Sequence, residues 1–324
     1  MLRVHSLHAL GDAACSPLRA RLREDVALSV SEELVRPAEV DVLVAGRPTA
    51  AHLAALPALR AVVVPWAGVG ASTLELLRAH PVVALHNLHH NAAPVAEHAL
   101  ALLLAAAKSV LPADARMRAH DWSDRGARHP AVLLAGRRAV VLGFGAIGRR
   151  LAPLLQALGM DVVGVRARAA ARDERVDGVR VVGPEAWRTE LVGAAALVVC
   201  VPATPETRGL VGAAELAALP QDAVLVNVAR GEVVDERALH AALRDGRLHG
   251  AGLDVWWRYP REGEERTPPA TLPFEELSNV VHSPHRAGSC DRTEELRADA
   301  LAELLHALAD GRPAPHAVAL DRGY

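Results

Sequence analysis

Arg138-Ala139-Val140-Val141-Leu142-Gly143-Phe144-Gly145-Ala146-Ile147-Gly148 is the stretch on which the fold class turns. A β-branched apolar run ends on G-x-G-x-x-G, and residues 146–158 continue with helical spacing. A strand turning sharply into a helix presents unpaired N–H groups at the helix N-terminus, where an anion is favoured. Gly143 permits the tight turn and Gly145 lets a pyrophosphate approach the backbone. Ala146 and Ile147 open the helix, and Gly148 lets helix and strand close together. The motif alone is weak, but between a strand and a helix it predicts a dinucleotide site. A glycine-rich turn of purely structural use is the alternative.

The next apolar run, Asp161 to Val165, leads into Arg166-Ala167-Arg168. An NAD site usually carries Asp or Glu at this strand end to accept hydrogen bonds from the ribose hydroxyls. Arg166 cannot accept them but can neutralise a 2′-phosphate, with Arg168 assisting, so NADP is favoured over NAD. In the alternative, both arginines face solvent and cofactor choice is relaxed.

Working outward, apolar runs recur at Val26 to Val30, Asp41 to Ala45, Ala61 to Pro65 and Pro81 to Leu85, separated by helix-forming stretches at Ala50 to Leu56 and Ser72 to Arg78. After Arg138 to Leu142 and Asp161 to Val165 come Val179 to Val182, Leu197 to Val201, Ala223 to Val228, Ala251 to Asp254 and Asn279 to His282. Helices are expected at Ala93 to Lys108, Ala146 to Leu158, Ala213 to Leu219, Glu236 to Arg244 and Asp291 to Leu308. The last is expected to pack back on the first half. This alternation predicts an α/β chain in two series, with parallel sheet covered by helices. Pro112 and the polar stretch Asp121 to Pro130 interrupt the pattern, which places a boundary near 108–112. Gly263 to Pro273 reads as a surface insertion.

The chain has 324 residues, enough for two cores; 51% are apolar types, 23% are charged, and the formal net charge is -2. That balance gives no argument for nucleic acid or an anionic membrane as a partner. Cys15, Cys200 and Cys290 are too scattered for a disulfide framework or a C-x-x-C pair. No long apolar segment follows Met1 and none spans a bilayer, so a cytoplasmic protein is expected. Lys108 is the sole lysine, so a basic group gripping a substrate is expected to be arginine. His86, His89 and His90 lack a carboxylate at a ligand spacing and are read as cleft-lining or surface residues, with no metal expected.

Four further segments carry a family resemblance: Val201-Pro202-Ala203-Thr204-Pro205-Glu206-Thr207-Arg208-Gly209-Leu210, Asn227-Val228-Ala229-Arg230-Gly231-Glu232-Val233-Val234-Asp235-Glu236, Gly250-Ala251-Gly252-Leu253-Asp254-Val255 and Ser283-Pro284-His285-Arg286-Ala287-Gly288. With the glycine-rich turn, and with Asn91-Ala92-Ala93-Pro94-Val95-Ala96-Glu97-His98 before it, the chain resembles the D-isomer-specific 2-hydroxyacid dehydrogenases over nearly its whole length. The resemblance implies two Rossmann-like domains with parallel sheets and a cleft between them: a substrate-binding domain at 1–110 completed by 284–324, and a dinucleotide-binding domain at 111–283. It implies hydride exchange between NAD(P) and a small 2-keto or D-2-hydroxy acid, in a homodimer paired through the cofactor domain. Pro202, Thr207, Ala229, Asp254 and Gly288 would line the cofactor, while the Gly68 and Val69 amides would grip the substrate carboxylate. Asp254 as a cap on a backbone turn, and Asn91 as a helix cap rather than a cleft residue, remain open readings.

Chemistry supports two of the implied roles independently. Arg230 has the planar fork that binds a carboxylate and a carbonyl oxygen. His285 can hold or release a proton near neutrality, as an acid/base must. A salt-bridged Arg230 and a plain loop histidine are the alternatives. The family pattern breaks at Tyr259, which stands where a glutamate usually partners the histidine. Glu262, Glu264 and Glu265 lack the matching spacing. Tyr259 is therefore the third catalytic candidate, either facing His285 or walling the substrate pocket. Formate dehydrogenase-like relatives are also non-acidic there but usually carry glutamine. The rival function is a dinucleotide-sensing binding protein with weak or absent catalysis.

Overall fold

The computed structural model describes residues 1–7, 12–126, 131–169 and 174–323; the end of the expected polar interruption, 127–130, lies outside them. The chain divides into two compact units, Met1–Asn91 with Ser289–Tyr324, and Ala92–Gly288.

The first unit runs β1 (Leu2–Ser6), α1 (Asp12–Arg21), β2 (Val26–Val30), β3 (Val42–Val44), α2 (Ala50–Ala54), β4 (Ala61–Val64), α3 (Ala71–Arg78) and β5 (Ala84–Asn87). Its five strands are parallel in the order β2-β1-β3-β4-β5. Both faces are covered, which is why the strands are apolar almost throughout. Val42 and Val44 point into one core with Leu18, while Leu43 and Ala45 point into another with Leu53 and Leu77.

The second unit contains α4 (Ala92–Ala107), α5 (Val110–Arg118), β6 (Arg138–Leu142), α6 (Ala146–Ala157), β7 (Asp161–Val165), β8 (Glu174–Val176), β9 (Val179–Val182), α7 (Trp187–Glu190), β10 (Ala194–Val199), α8 (Ala213–Ala218), β11 (Val224–Asn227), α9 (Glu236–Arg244), β12 (Gly250–Leu253) and β13 (Val280–His282). The sheet order is β13-β12-β11-β10-β6-β7-β9-β8, with only the β8–β9 pair antiparallel. β6 lies between β10 and β7, so the chain reverses its winding there. Ligands of open α/β sheets bind at such a switch point. Val140 and Leu142 of β6 enter one core with Leu225 and Leu253, whereas Ala139 and Val141 enter the other with Leu151 and Val198. α10 (Thr293–Ala309) returns to the first unit, where Leu301, Leu304 and Leu305 pack with Leu18 and Val26.

The unit boundaries differ from the expected 110 and 283. α4 belongs to the second unit because Leu102, Leu103 and Ala106 share a core with Val224 and Val226 of β11. Pro112 does not end the helical run: it lies in the first turn of α5, where its missing N–H removes no helical bond. The segment 283–288 also stays with the second unit. No single helix among the described residues is long and apolar enough to cross a membrane.

Candidate active site

The glycine-rich turn forms at the end of β6. Gly143 has φ 104°, and a Cβ there would lie 2.6 Å from the Cys200 carbonyl carbon. Only glycine fits that conformation and that approach. A Cβ at Gly148 would lie 2.6 Å from the Gly143 oxygen, so the third glycine sets the closeness of helix to strand. The Gly143 and Phe144 amides both donate to Val165 O, at 3.1 and 2.8 Å, tying the turn to β7. The first helical bond of α6 runs from Arg149 N to Gly145 O (3.0 Å). The amides of Ala146, Ile147 and Gly148 therefore have no helical acceptor. Gly145 leaves open space before them. At the end of β7, Arg166 and Arg168 are exposed, and neither side chain has a hydrogen-bond or ion-pair partner among the described residues. A bare helix N-terminus beside two arginines, with no acidic residue at the strand end, fits the pyrophosphate and phosphorylated ribose of a nicotinamide dinucleotide.

Beyond β10 the segment 202–207 closes on itself. Thr207 Oγ1 donates to Pro202 O (2.7 Å) and accepts from Thr204 N (2.8 Å), so this hydroxyl shapes the loop. Pro202 stays exposed.

Arg230 follows β11 and begins a short 3-10 turn, Gly231–Val233. Its position is set by buried Asn227, whose Nδ2 donates to Arg230 O (3.0 Å) and whose Oδ1 accepts from Ala229 N (3.0 Å). Ala229 is buried by this clamp, whose side chain had no assigned role in the sequence. The half-buried guanidinium donates Nη1–H to Ala229 O (2.6 Å). Its remaining N–H donors exceed that one bond.

Asp254, at the end of β12, is 1% exposed. Its Oδ1 accepts from Ser283 Oγ (2.5 Å) and Arg286 N (2.9 Å), and its Oδ2 accepts from Ala287 N (3.0 Å). Asp254 does not cap the turn that follows it; both carboxylate oxygens are engaged by the sequence-distant 283–287 segment. Ser283 Oγ also contacts His98 Nε2 of α4 at 2.9 Å, and Trp256 Nε1 donates to Ser283 O (2.8 Å). His98 and Ser283 lay inside quoted motifs but carried no signal of this role, because their partners are distant in sequence.

The pinned segment carries His285 at φ 54°, a left-handed conformation that costs a non-glycine residue about 1 kcal/mol. The residue is exposed, yet its ring is crowded by a neighbouring aromatic ring. That crowding, and then the Arg230 cation, lower its pKa below the ordinary imidazole value, with Asp254 opposing them. Gly288 closes the segment, half-exposed.

Tyr259 lies against this histidine, with ring centroids 5.5 Å apart and planes tilted by 54°. Its hydroxyl is directed elsewhere than the histidine ring nitrogens: Tyr259 Oη accepts from Trp256 N (3.3 Å). Burial raises the phenol's pKa, so it is neutral where imidazole titrates. Glu264 is spent inside the insertion, accepting from Arg261 N (3.2 Å) and Thr267 Oγ1 (3.2 Å).

In the first unit, the loop after β4 is held by Asn87, whose Nδ2 donates to Ala67 O (2.6 Å), and by Leu88 N to Trp66 O (3.3 Å). Gly68 and Val69 are half-exposed, and among the described residues no acceptor takes their N–H groups. Asn91 immediately precedes α4. His86 is neither surface nor loop: it is buried in β5, with Nδ1 at 3.0 Å from Pro315 O. His89 packs edge-on to His316 (centroids 4.7 Å).

Residues 100–287 match the family model described as D-isomer specific 2-hydroxyacid dehydrogenase, NAD binding domain. A D-3-phosphoglycerate dehydrogenase of Mycobacterium leprae is 34% identical over 274 residues, covering 84% of this chain and 49% of the relative. A glycerate dehydrogenase of Methylorubrum extorquens is 31% identical over 236 residues, 72% of this chain and 69% of the relative. The chain thus spans about half the length of the mycobacterial relative and more of the second. A D-isomer specific 2-hydroxyacid dehydrogenase from Xanthobacter autotrophicus Py2, solved with NADPH and MES, superposes with a TM-score of 0.81 at 29% identity over 99% of both chains. Motif order, sheet topology and these similarities converge: the chain belongs to the D-isomer specific 2-hydroxyacid dehydrogenase family.

Proposed function

We propose that this protein is a nicotinamide-dependent oxidoreductase interconverting a small 2-keto acid and a D-2-hydroxy acid, with NADP preferred over NAD. The carrying observation is that one unit holds an open dinucleotide turn together with Arg230 and a pinned His285 flanked by that arginine and Asp254. Gly143, Gly145, Ala146, Ile147 and Gly148 would hold the pyrophosphate, and Arg166 and Arg168 the 2′-phosphate. Pro202, Thr207, Ala229, Asp254 and Gly288 would line the rest, with Asp254 and Thr207 acting through the loops they tie. When bound, the nicotinamide would supply or accept the hydride.

Arg230 would bind the substrate carboxylate and carbonyl oxygen through its planar fork, so that the carbonyl carbon becomes more electrophilic. Gly68 and Val69 would add backbone donors to the carboxylate, and Asn91 would orient the substrate. His285 would hand a proton to the substrate oxygen in reduction and take it back in oxidation. Tyr259 would wall the site beside His285 without ionising.

NADP preference is supported by the two exposed arginines and by the NADPH in the Xanthobacter structure. We assign the protein to the cytoplasm as a homodimer paired through the second unit. Supporting the pairing, Val110, Leu111 and Met117 of α5 are exposed, as is Trp122, and α5 buries none of its residues. The test is oxidation of NADPH and NADH against glyoxylate, hydroxypyruvate, pyruvate and branched 2-keto acids. Turnover with at least one, faster with NADPH, is expected. Tight cofactor binding with no turnover would instead favour a dinucleotide sensor.

A further inference from the structure

Among the described residues, no carboxylate hydrogen-bonds the His285 ring; nearby Asp254 bonds the Arg286 and Ala287 amides instead. Within the second unit, the groups that act on the ring are Tyr259 by ring contact, the Arg230 cation and the Asp254 charge. Its orientation must therefore come from somewhere other than a side-chain partner on the imidazole. The backbone on its C-terminal side is tied by the Arg286 and Ala287 amides, both donating to Asp254. Ser283 donates its single hydroxyl proton to the same carboxylate. With that proton committed, Ser283 Oγ can only accept from His98, whose Nε2 lies 2.9 Å away. The direction of the chain follows: His98 Nε2–H donates to Ser283 Oγ, and Ser283 Oγ–H donates to Asp254 Oδ1. His98 Nε2 is itself 3.7 Å from Asp254 Oδ1, and the carboxylate has no exposure through which water could replace these donors.

Resting on the function proposed above, we propose that His98 is a positioning residue. Through Ser283 and Asp254, it holds the 283–287 segment so that His285 keeps its left-handed backbone with its ring against Tyr259. Support from beneath replaces the acidic partner that position 259 lacks. His98 sits on α4, whose buried residues Val95, Ala99 and Leu102 anchor it in the core, so the chain starts from a rigid element. A mobile surface histidine could not serve. His98 does not touch the reacting atoms; its effect passes through the position that the bonded chain imposes on the 283–287 backbone.

The test compares His98→Leu, His98→Gln and Ser283→Ala with the unaltered protein by NMR titration of the His285 imidazole. Amide hydrogen exchange at Arg286 and Ala287, and kcat and KM where a substrate is known, complete the set. Glutamine places an N–H donor where His98 Nε2 lies, whereas leucine keeps bulk and removes the donor. In His98→Leu and Ser283→Ala, the two amides should exchange about tenfold faster. The His285 pKa should fall by about half a unit as the segment drifts from Asp254. Reduction should lose about tenfold in kcat with little change in KM. His98→Gln should restore all three. Unchanged titration and exchange in a folded His98→Leu protein overturn the proposal, as does failure of glutamine to rescue. If the leucine variant does not fold, Ser283→Ala carries the same decision. Titration and exchange need no turnover, so they decide this proposal even where the unaltered protein reduces no keto acid, a result that fails the proposed function alone.

Discussion

Replacing Tyr259 with glutamate restores a negative charge beside His285, and the structure sets the size of the effect. The two rings are 5.5 Å apart between centroids. Unit charges at that distance interact by about 3 kcal/mol at an effective dielectric constant of 20, and by about 1.5 kcal/mol at 40. Tyr259 is 46% exposed, so the weaker value applies. At about 1.4 kcal/mol per pKa unit, His285 should rise by roughly one unit. In the proposed reaction, keto-acid reduction needs the protonated imidazole, so rate is fully present below the His285 pKa and lost as pH rises through it. In the unaltered protein, burial and then Arg230 hold that value below the ordinary one, so the loss begins early. Tyr259→Glu should move the falling limb of kcat/KM upward by about one unit. Well above both values, the protonated fraction then rises about tenfold. The assay is a full pH profile with commitment to catalysis controlled, paired with NMR titration of His285. A limb that stays within about 0.2 unit while substrate-size preference changes would refute the electrostatic reasoning and leave Tyr259 as a pocket wall.

Arg166→Asp should reverse or narrow the NADPH preference in kcat/KM, because a carboxylate repels the 2′-phosphate; equal use of both cofactors by both proteins would remove the argument. Arg230→Lys keeps the charge but loses the fork, so kcat/KM should fall about 100-fold or more while dinucleotide affinity, followed by fluorescence titration, stays near the original. Burial, then Arg297 and His89, lower the His90 pKa to about 4. The neutral ring therefore stabilises the fold fully above about pH 6.5, and that contribution, on the order of 3 kcal/mol, is lost as pH falls toward 4. Urea midpoints at pH 7 and pH 4.5 should differ more for the unaltered protein than for His90→Gln; equal differences would contradict the assignment.

Much of the second unit was legible because its strands are short apolar runs bounded by glycine and charge, as at Arg138 to Leu142 and Asp161 to Val165. Among the elements that escaped or were misplaced were strands containing buried polar residues. β1 was not expected at all. His5 is wholly buried in it and pairs through Nδ1 with Ser29 Oγ of β2 at 2.8 Å, a partner that periodicity cannot reveal. β5 was expected at Pro81 to Leu85 but forms at Ala84–Asn87, because His86 and Asn87 find carbonyl partners at Pro315 and Ala67. The boundary after Lys108 failed for a related reason: a proline in a first turn resembles an interruption until α5 is seen to contain it. Motif order pointed to Arg230, His285, Asp254 and Tyr259, which the fold gathers around one segment of the second unit. The bonds among Asp254, Ser283 and His98 join β12, β13 and α4, and only the folded chain brings those together.

The most direct measurement uses NADPH carrying deuterium at the transferring C4 position, with the best keto acid from the substrate panel, followed by chiral chromatography and mass spectrometry of the product. The expected product is the D-2-hydroxy acid with one deuterium on C2, formed by the unaltered protein and lost with His285→Ala while NADPH still binds. An L product, an unlabelled product, or undiminished D product from His285→Ala would contradict the proposed reaction.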